Sequence, residues 1–102
     1  MINIHILKKD DFVSKITIKG HSMYAESGSD NVCSSISSIA ITTVNGCIRI
    51  DENSIIYNES DGFLEIEIKK NNEVIRILIE NMISLFTELE GKYPKNIKTT
   101  YN

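Results

Sequence analysis

A chain of 102 residues, 41% of them hydrophobic, can build one ordinary core in a single small domain spanning 1–102, with no room for two lobes and a cleft between them. Its 11 basic and 14 acidic residues leave a net charge of −3, which argues against a general nucleic-acid binder. No stretch of about 18 apolar residues reads as a membrane span, Lys8 and Lys9 follow the apolar start instead of preceding it as in a secretory signal, and two cysteines make no disulfide framework, so the expectation is a cytoplasmic protein.

The elements follow from periodicity. Ile2, Ile4 and Ile6 alternate and predict a strand over 2–7; Lys9-Asp10-Asp11 is a polar turn. Alternation resumes over 12–19, with Phe12, Ser14, Ile16 and Ile18 on one side, which predicts a hairpin closed off by Gly20. Residues 21–29 have no period and read as a loop. Asp30 has the chemistry of a helix N-cap, and Val32, Ile36, Ile39 and Thr43 then recur at helical spacing, with Cys33, Ala40 and Val44 widening the stripe. Asn45-Gly46 is the expected stop, with Cys47-Ile48 able to add a turn. Ser34, Ser35, Ser37 and Ser38 are small enough to let this helix lie close to a sheet. A second hairpin is expected over 54–59 and 62–69. Asn72 then caps a helix from Glu73 to about Glu90, with Gly91 as its end and Pro94 preventing a restart. Residues 96–101 can add a short strand. The order ββαββα, with a possible terminal strand, predicts an α/β (α+β) two-layer sandwich: a mostly antiparallel sheet with two helices on one face.

One segment carries chemistry. His21 stands at a strand end, and Cys33 stands twelve residues later in the first turn of a helix. The thiolate is the reactive form of cysteine, and the free N–H groups and dipole of a helix start favour negative charge there. The same N–H groups could hold the oxyanion of a tetrahedral intermediate. A Cys–His pair so placed has what acyl transfer needs. The spacing alone leaves open that Cys33 is an inert buried cysteine and that His21 merely bonds a carbonyl. No CxxC or HxxxH spacing points to a metal. Cys33 and Cys47, 14 residues apart on one helix, would stand roughly 21 Å apart, beyond disulfide reach, so Cys47 is expected to pack in the core. Ser27-Gly28-Ser29 before a helix could form an anion nest, but no P-loop lysine follows and Asp30 would repel phosphate.

Gly20-His21, Glu26, Gly28-x-Asp30-x-Val32-Cys33, Ser37 and Val44-Asn45-Gly46 together resemble the ribosomal-processing cysteine protease family (Prp), and the resemblance runs over most of the chain. It implies a cofactor-free cytoplasmic cysteine protease that removes the N-terminal extension of large-subunit ribosomal protein twenty-seven, cutting after a pair of phenylalanines. By position it makes Cys33 the nucleophile and His21 the general base, places Asp30 and Ser37 in support, and implies a homodimer without direct nucleic-acid or membrane contact. Ala25 and Asn31 depart from the family pattern, where glycine and an apolar residue are common. Residues Ser22, Met23, Tyr24, Ala25, Glu26, Ser27, Gly28 and Ser29 are expected to form a flap that orders over the substrate. The rival readings are a non-enzymatic ribosome- or protein-associated module with a structural His–Cys pair, and another small cysteine hydrolase. A phosphatase is disfavoured because Ile39 occupies the arginine position of a Cys-x5-Arg loop.

Overall fold

The computed structural model describes residues 1–20, 30–70 and 72–102. In chain order these form β1 (Ile2–Lys9), β2 (Phe12–Lys19), α1 (Asp30–Ile50), β3 (Ile55–Ser60), β4 (Phe63–Ile68), α2 (Glu73–Lys92) and β5 (Ile97–Tyr101). The strands lie side by side as β3-β4-β2-β1-β5; β5 runs parallel to β1 and every other neighbouring pair is antiparallel. The two-layer expectation holds, and the terminal strand is present.

Register explains the core. Ile4, Ile18 and Leu64 form one row across β1, β2 and β4, and Ile6, Ile16 and Ile66 form the next. All six are buried, against Val32, Ile36 and Ala40 of α1 and Ile75, Ile79, Met82 and Phe86 of α2. Each buried isoleucine contributes about 1.5–3 kcal/mol relative to exposure. The intervening residues face the other side of the sheet, where Lys15 pairs with Glu65 at 3.8 Å and the His5 ring nitrogen Nδ1 shares a 2.9 Å hydrogen bond with the Thr100 hydroxyl. The β1–β2 turn is two residues long, and Asp10 and Asp11 both have positive φ (58° and 66°), the combination a type I′ hairpin turn requires.

Several expectations are corrected. The alternation of β2 breaks at Ser14, because the register shifts between Leu7 and Lys8: Leu7 pairs with Lys15 but Lys8 pairs with Val13. Ser14, the extra residue, donates its hydroxyl to the Leu7 carbonyl. Val13 therefore packs against the core, and Phe12 is left exposed beneath the guanidinium of Arg76. Neither Gly46 nor Gly91 stops its helix. Helix α1 continues to Ile50, because the turn it adds buries Cys47 completely; α2 continues to Lys92 and ends at Tyr93. The serines of α1 do not face the sheet. Ser34 and Ser38 are exposed and Ser35 and Ser37 are half-buried, while Val32, Ile36 and Ala40 make the sheet contact. Asn72 caps α2 as expected, its side chain accepting from the N–H groups of Val74 and Ile75.

Two predictions arise here. Gly46 sits inside a helix, and a Cβ there would meet only Leu78 Cδ1, at an ordinary 3.9 Å. Gly46→Ala should stabilise the protein by about 0.5–1 kcal/mol, read as a rise in Tm of several degrees, since alanine loses less backbone entropy. Cys47 is fully buried, and burial pushes its thiol above the ordinary 9.0. Above that value the unfolded chain loses a proton that the folded chain keeps, so this contribution is intact below pH 9.0 and is lost as pH rises through the folded value. Cys47→Ala should flatten the alkaline limb of the stability–pH curve measured by urea unfolding.

Candidate active site

Helix α1 returns to the sheet through residues 51–54, where the Asp51 N–H and the Ser54 hydroxyl both reach the Cys47 carbonyl. Lys70 lies 2.8 Å from Asp51, and this pairing holds the Asp51 carboxyl below its ordinary value. This short return places the end of α1 beside the start of β3. The start of α1 must therefore lie at the opposite end of the sheet, where β2 ends and β3 turns into β4. Gly20 marks that place. It has φ +91°, its N–H donates to the Gly62 carbonyl at 2.9 Å, and a Cβ on it would collide with the Met1 carbonyl oxygen. The strand that ends at Gly20 and the helix that starts at Asp30 thus lie at the same end of the fold. His21 and the expected flap, Ser22 to Ser29, lie outside the described residues, as does the side chain of Asp30.

Cys33 is the fourth residue of α1, one later than an Asp30 cap outside the helix would make it. The first four N–H groups of a helix, here those of Asp30 to Cys33, lack intrahelical acceptors and form the donor end of the dipole. Cys33 is 8% exposed. At about 100° per residue, Cys33 and Ser37 share the flank of α1 that adjoins its buried stripe on one side, while Ile39 and Gly46 lie on the other side, toward α2. Because α1 packs over β3, and α2 against β2 and β5, the Cys33 flank is the one turned toward β3. A groove of about 570 Å³ does open between the helices, lined by Asn31, Ser35, Ser38 and Ile39 with Leu85 and Leu89. It lies on the side of α1 opposite the thiol.

The edge strand facing the Cys33 flank carries a pair that the spacing of chemical residues did not reveal. Tyr57 and Glu59 alternate on β3, and the Tyr57 hydroxyl donates to the Glu59 carboxylate. Burial, and then this carboxylate, push the Tyr57 hydroxyl well above its ordinary value, so it remains a donor. The visible signal was the two-residue spacing, which puts both on one face of a strand.

Comparison with known proteins bears on the family and the fold. A family profile described as "Cysteine protease Prp" matches residues 1–98. The ribosomal processing cysteine protease Prp of Staphylococcus aureus is 27% identical over 105 residues, covering 99% of each chain. Two solved structures of the S. aureus protease cover all of both chains. One, in complex with a substrate peptide, is 24% identical with a TM-score of 0.92; the other, with a covalently linked product peptide, is 26% identical with a TM-score of 0.89.

Proposed function

The chain belongs to the cysteine protease Prp family, and from that membership we propose that it is an endopeptidase working through a Cys33–His21 dyad on the N-terminal extension of large-subunit ribosomal protein twenty-seven. The observation that carries the reading is Cys33 in the first turn of α1, at the sheet end where β2 releases the chain at Gly20. His21 takes the proton of the Cys33 thiol, and the sulfur attacks the carbonyl carbon after the second of two phenylalanines. Free N–H groups at the start of α1 hold the resulting oxyanion. The C–N bond breaks as His21 protonates the leaving amine, leaving a thioester on Cys33. Water, deprotonated by His21, attacks that thioester, and the acid product leaves as the thiol is restored. Asp30 and Ser37 support the pair: Ser37 lies one turn beyond Cys33 on the same flank. Residues 22–29 close over the peptide as a flap. The protein acts in the cytoplasm as a homodimer, the second copy adding wall that 102 residues cannot supply alone. That S. aureus Prp holds a covalently linked product peptide supports a covalent route.

The test is incubation with a peptide carrying the twin-phenylalanine motif, followed by mass spectrometry. The expected products differ by one water from the intact peptide and are cut after the second phenylalanine. An intact peptide, or cleavage elsewhere, would sink the reading.

A further inference from the structure

The two edges of the sheet are built differently. The β5 edge is defended: Pro94 precedes the strand, and residues 92–98 hold Lys92, Lys95 and Lys98 with no acid. Lysine and proline are the usual means of blunting an exposed edge. The β3 edge has neither. Ile55–Ser60 pairs with β4 in unbroken register, and residues 51–62 hold Asp51, Glu52, Glu59 and Asp61 with no lysine or arginine. Ile56 is 44% exposed on the sheet face away from the helices. Among the described residues this regular, acidic edge pairs with no further strand, and such an edge is a template for one.

The position of this edge gives it a use. It adjoins the flank of α1 that carries Cys33 and Ser37, whereas the groove between the helices does not. The closing pair Ser60–Phe63 of the two-residue turn fixes the alternation of hydrogen-bonded pairs, so Ser60, Asn58 and Ile56 bond to β4. The main-chain groups of Ile55, Tyr57 and Glu59 then point outward. We propose that the β3 edge is the substrate-docking surface of this protease: the peptide adds to it as a sixth strand, its main chain bonding to Tyr57 and Glu59, its basic side chains met by Glu59 and Asp61. The inference rests on the peptidase reading above. Strand addition supplies affinity from the main chain while alternate side chains provide selection, so an aromatic pair beside the cut and lysines further along can be read independently.

Hydrogen exchange tests this on the full chain carrying Cys33→Ala, with and without a twin-phenylalanine peptide flanked by lysines. The expected result is added protection of at least about tenfold at the Tyr57 and Glu59 amides, with Ile56 and Asn58 already protected by β4. Glu59→Lys should weaken binding of this peptide by about tenfold and leave a glutamate-flanked version bound at least as well. Wild-type cleavage of the peptide without any change at the β3 amides, or with protection at β5 instead, overturns the docking surface while leaving the peptidase reading intact. Protection of β3 that grows with protein concentration and needs no peptide also overturns it, assigning the edge to a second copy. A peptide neither cut by wild type nor bound by the variant overturns both readings.

Discussion

Cys33→Ala is expected to lower the rate of twin-phenylalanine peptide cleavage by on the order of 10⁴-fold or more while leaving peptide affinity within about threefold, because removing a nucleophile removes the covalent route and not the binding surface. His21→Ala should cost about 10²–10⁴-fold, the range for losing a general base. The double variant should be no worse than Cys33→Ala, since the imidazole has no proton to move once the thiol is gone. The fold should tolerate the change at Cys33: it is buried among Val32 and Ile36, and a thiol-to-methyl change there leaves a small cavity. Iodoacetamide supplies an independent readout. Cys47 is completely buried with its thiol pushed up by that burial, so a folded chain should take a single label, on Cys33, and the Cys33→Ala chain none. Labelling of Cys47 alone would return the chain to the rival reading of a module with a structural His–Cys pair, and full cleavage by Cys33→Ala would remove Cys33 as the nucleophile.

The parts that were legible in the sequence share a cause. Ile2, Ile4 and Ile6, or Met82 and Phe86, repeat at the period of their own element, and one buried face is enough to impose that period. Asn72 was readable because a cap is a local bond between a side chain and N–H groups two and three residues on. The failures were decided at a distance. Gly46 carries the composition of a stop, but the turn beyond it buries Cys47, and that burial outweighs about 1 kcal/mol of glycine propensity. The bulge at Ser14 is set by the partner strand, so no period within 12–19 announces it. Residue spacing brought out Cys33 but not the direction it faces; that depends on α2 lying to one side of α1 and β3 to the other. The spacing of Tyr57 and Glu59 puts them on one face of a predicted strand, but that this strand is the edge beside α1 depends on the order of the whole sheet.

Gly20 is where fold and chemistry meet most tightly, and Gly20→Ala carries the largest expected cost to stability. A side chain at φ +91° is strained in any surroundings, and here the added Cβ meets the Met1 carbonyl, a main-chain atom that cannot swing aside. Relief by moving Met1 pulls on Ile2, whose N–H bonds to the Asn96 carbonyl at 2.7 Å and whose side chain is buried, so the β1–β5 pairing is disturbed as well. Relief by moving residue 20 breaks its bond to Gly62 and shifts the point from which the chain continues to His21. The expected loss is about 2–4 kcal/mol, a fall in Tm of roughly 10–20 °C. Gly91→Ala is the control: nothing lies within 4 Å of its added Cβ, so its Tm should hold or rise. Assayed well below the lowered Tm, Gly20→Ala should lose kcat by about tenfold or more with little change in KM, because the residue displaced is the proposed base and the β3 edge is untouched. A Tm unchanged within about 2 °C would mean that the Met1 carbonyl yields freely. An unchanged kcat in a destabilised protein would separate the strain at Gly20 from the placement of His21.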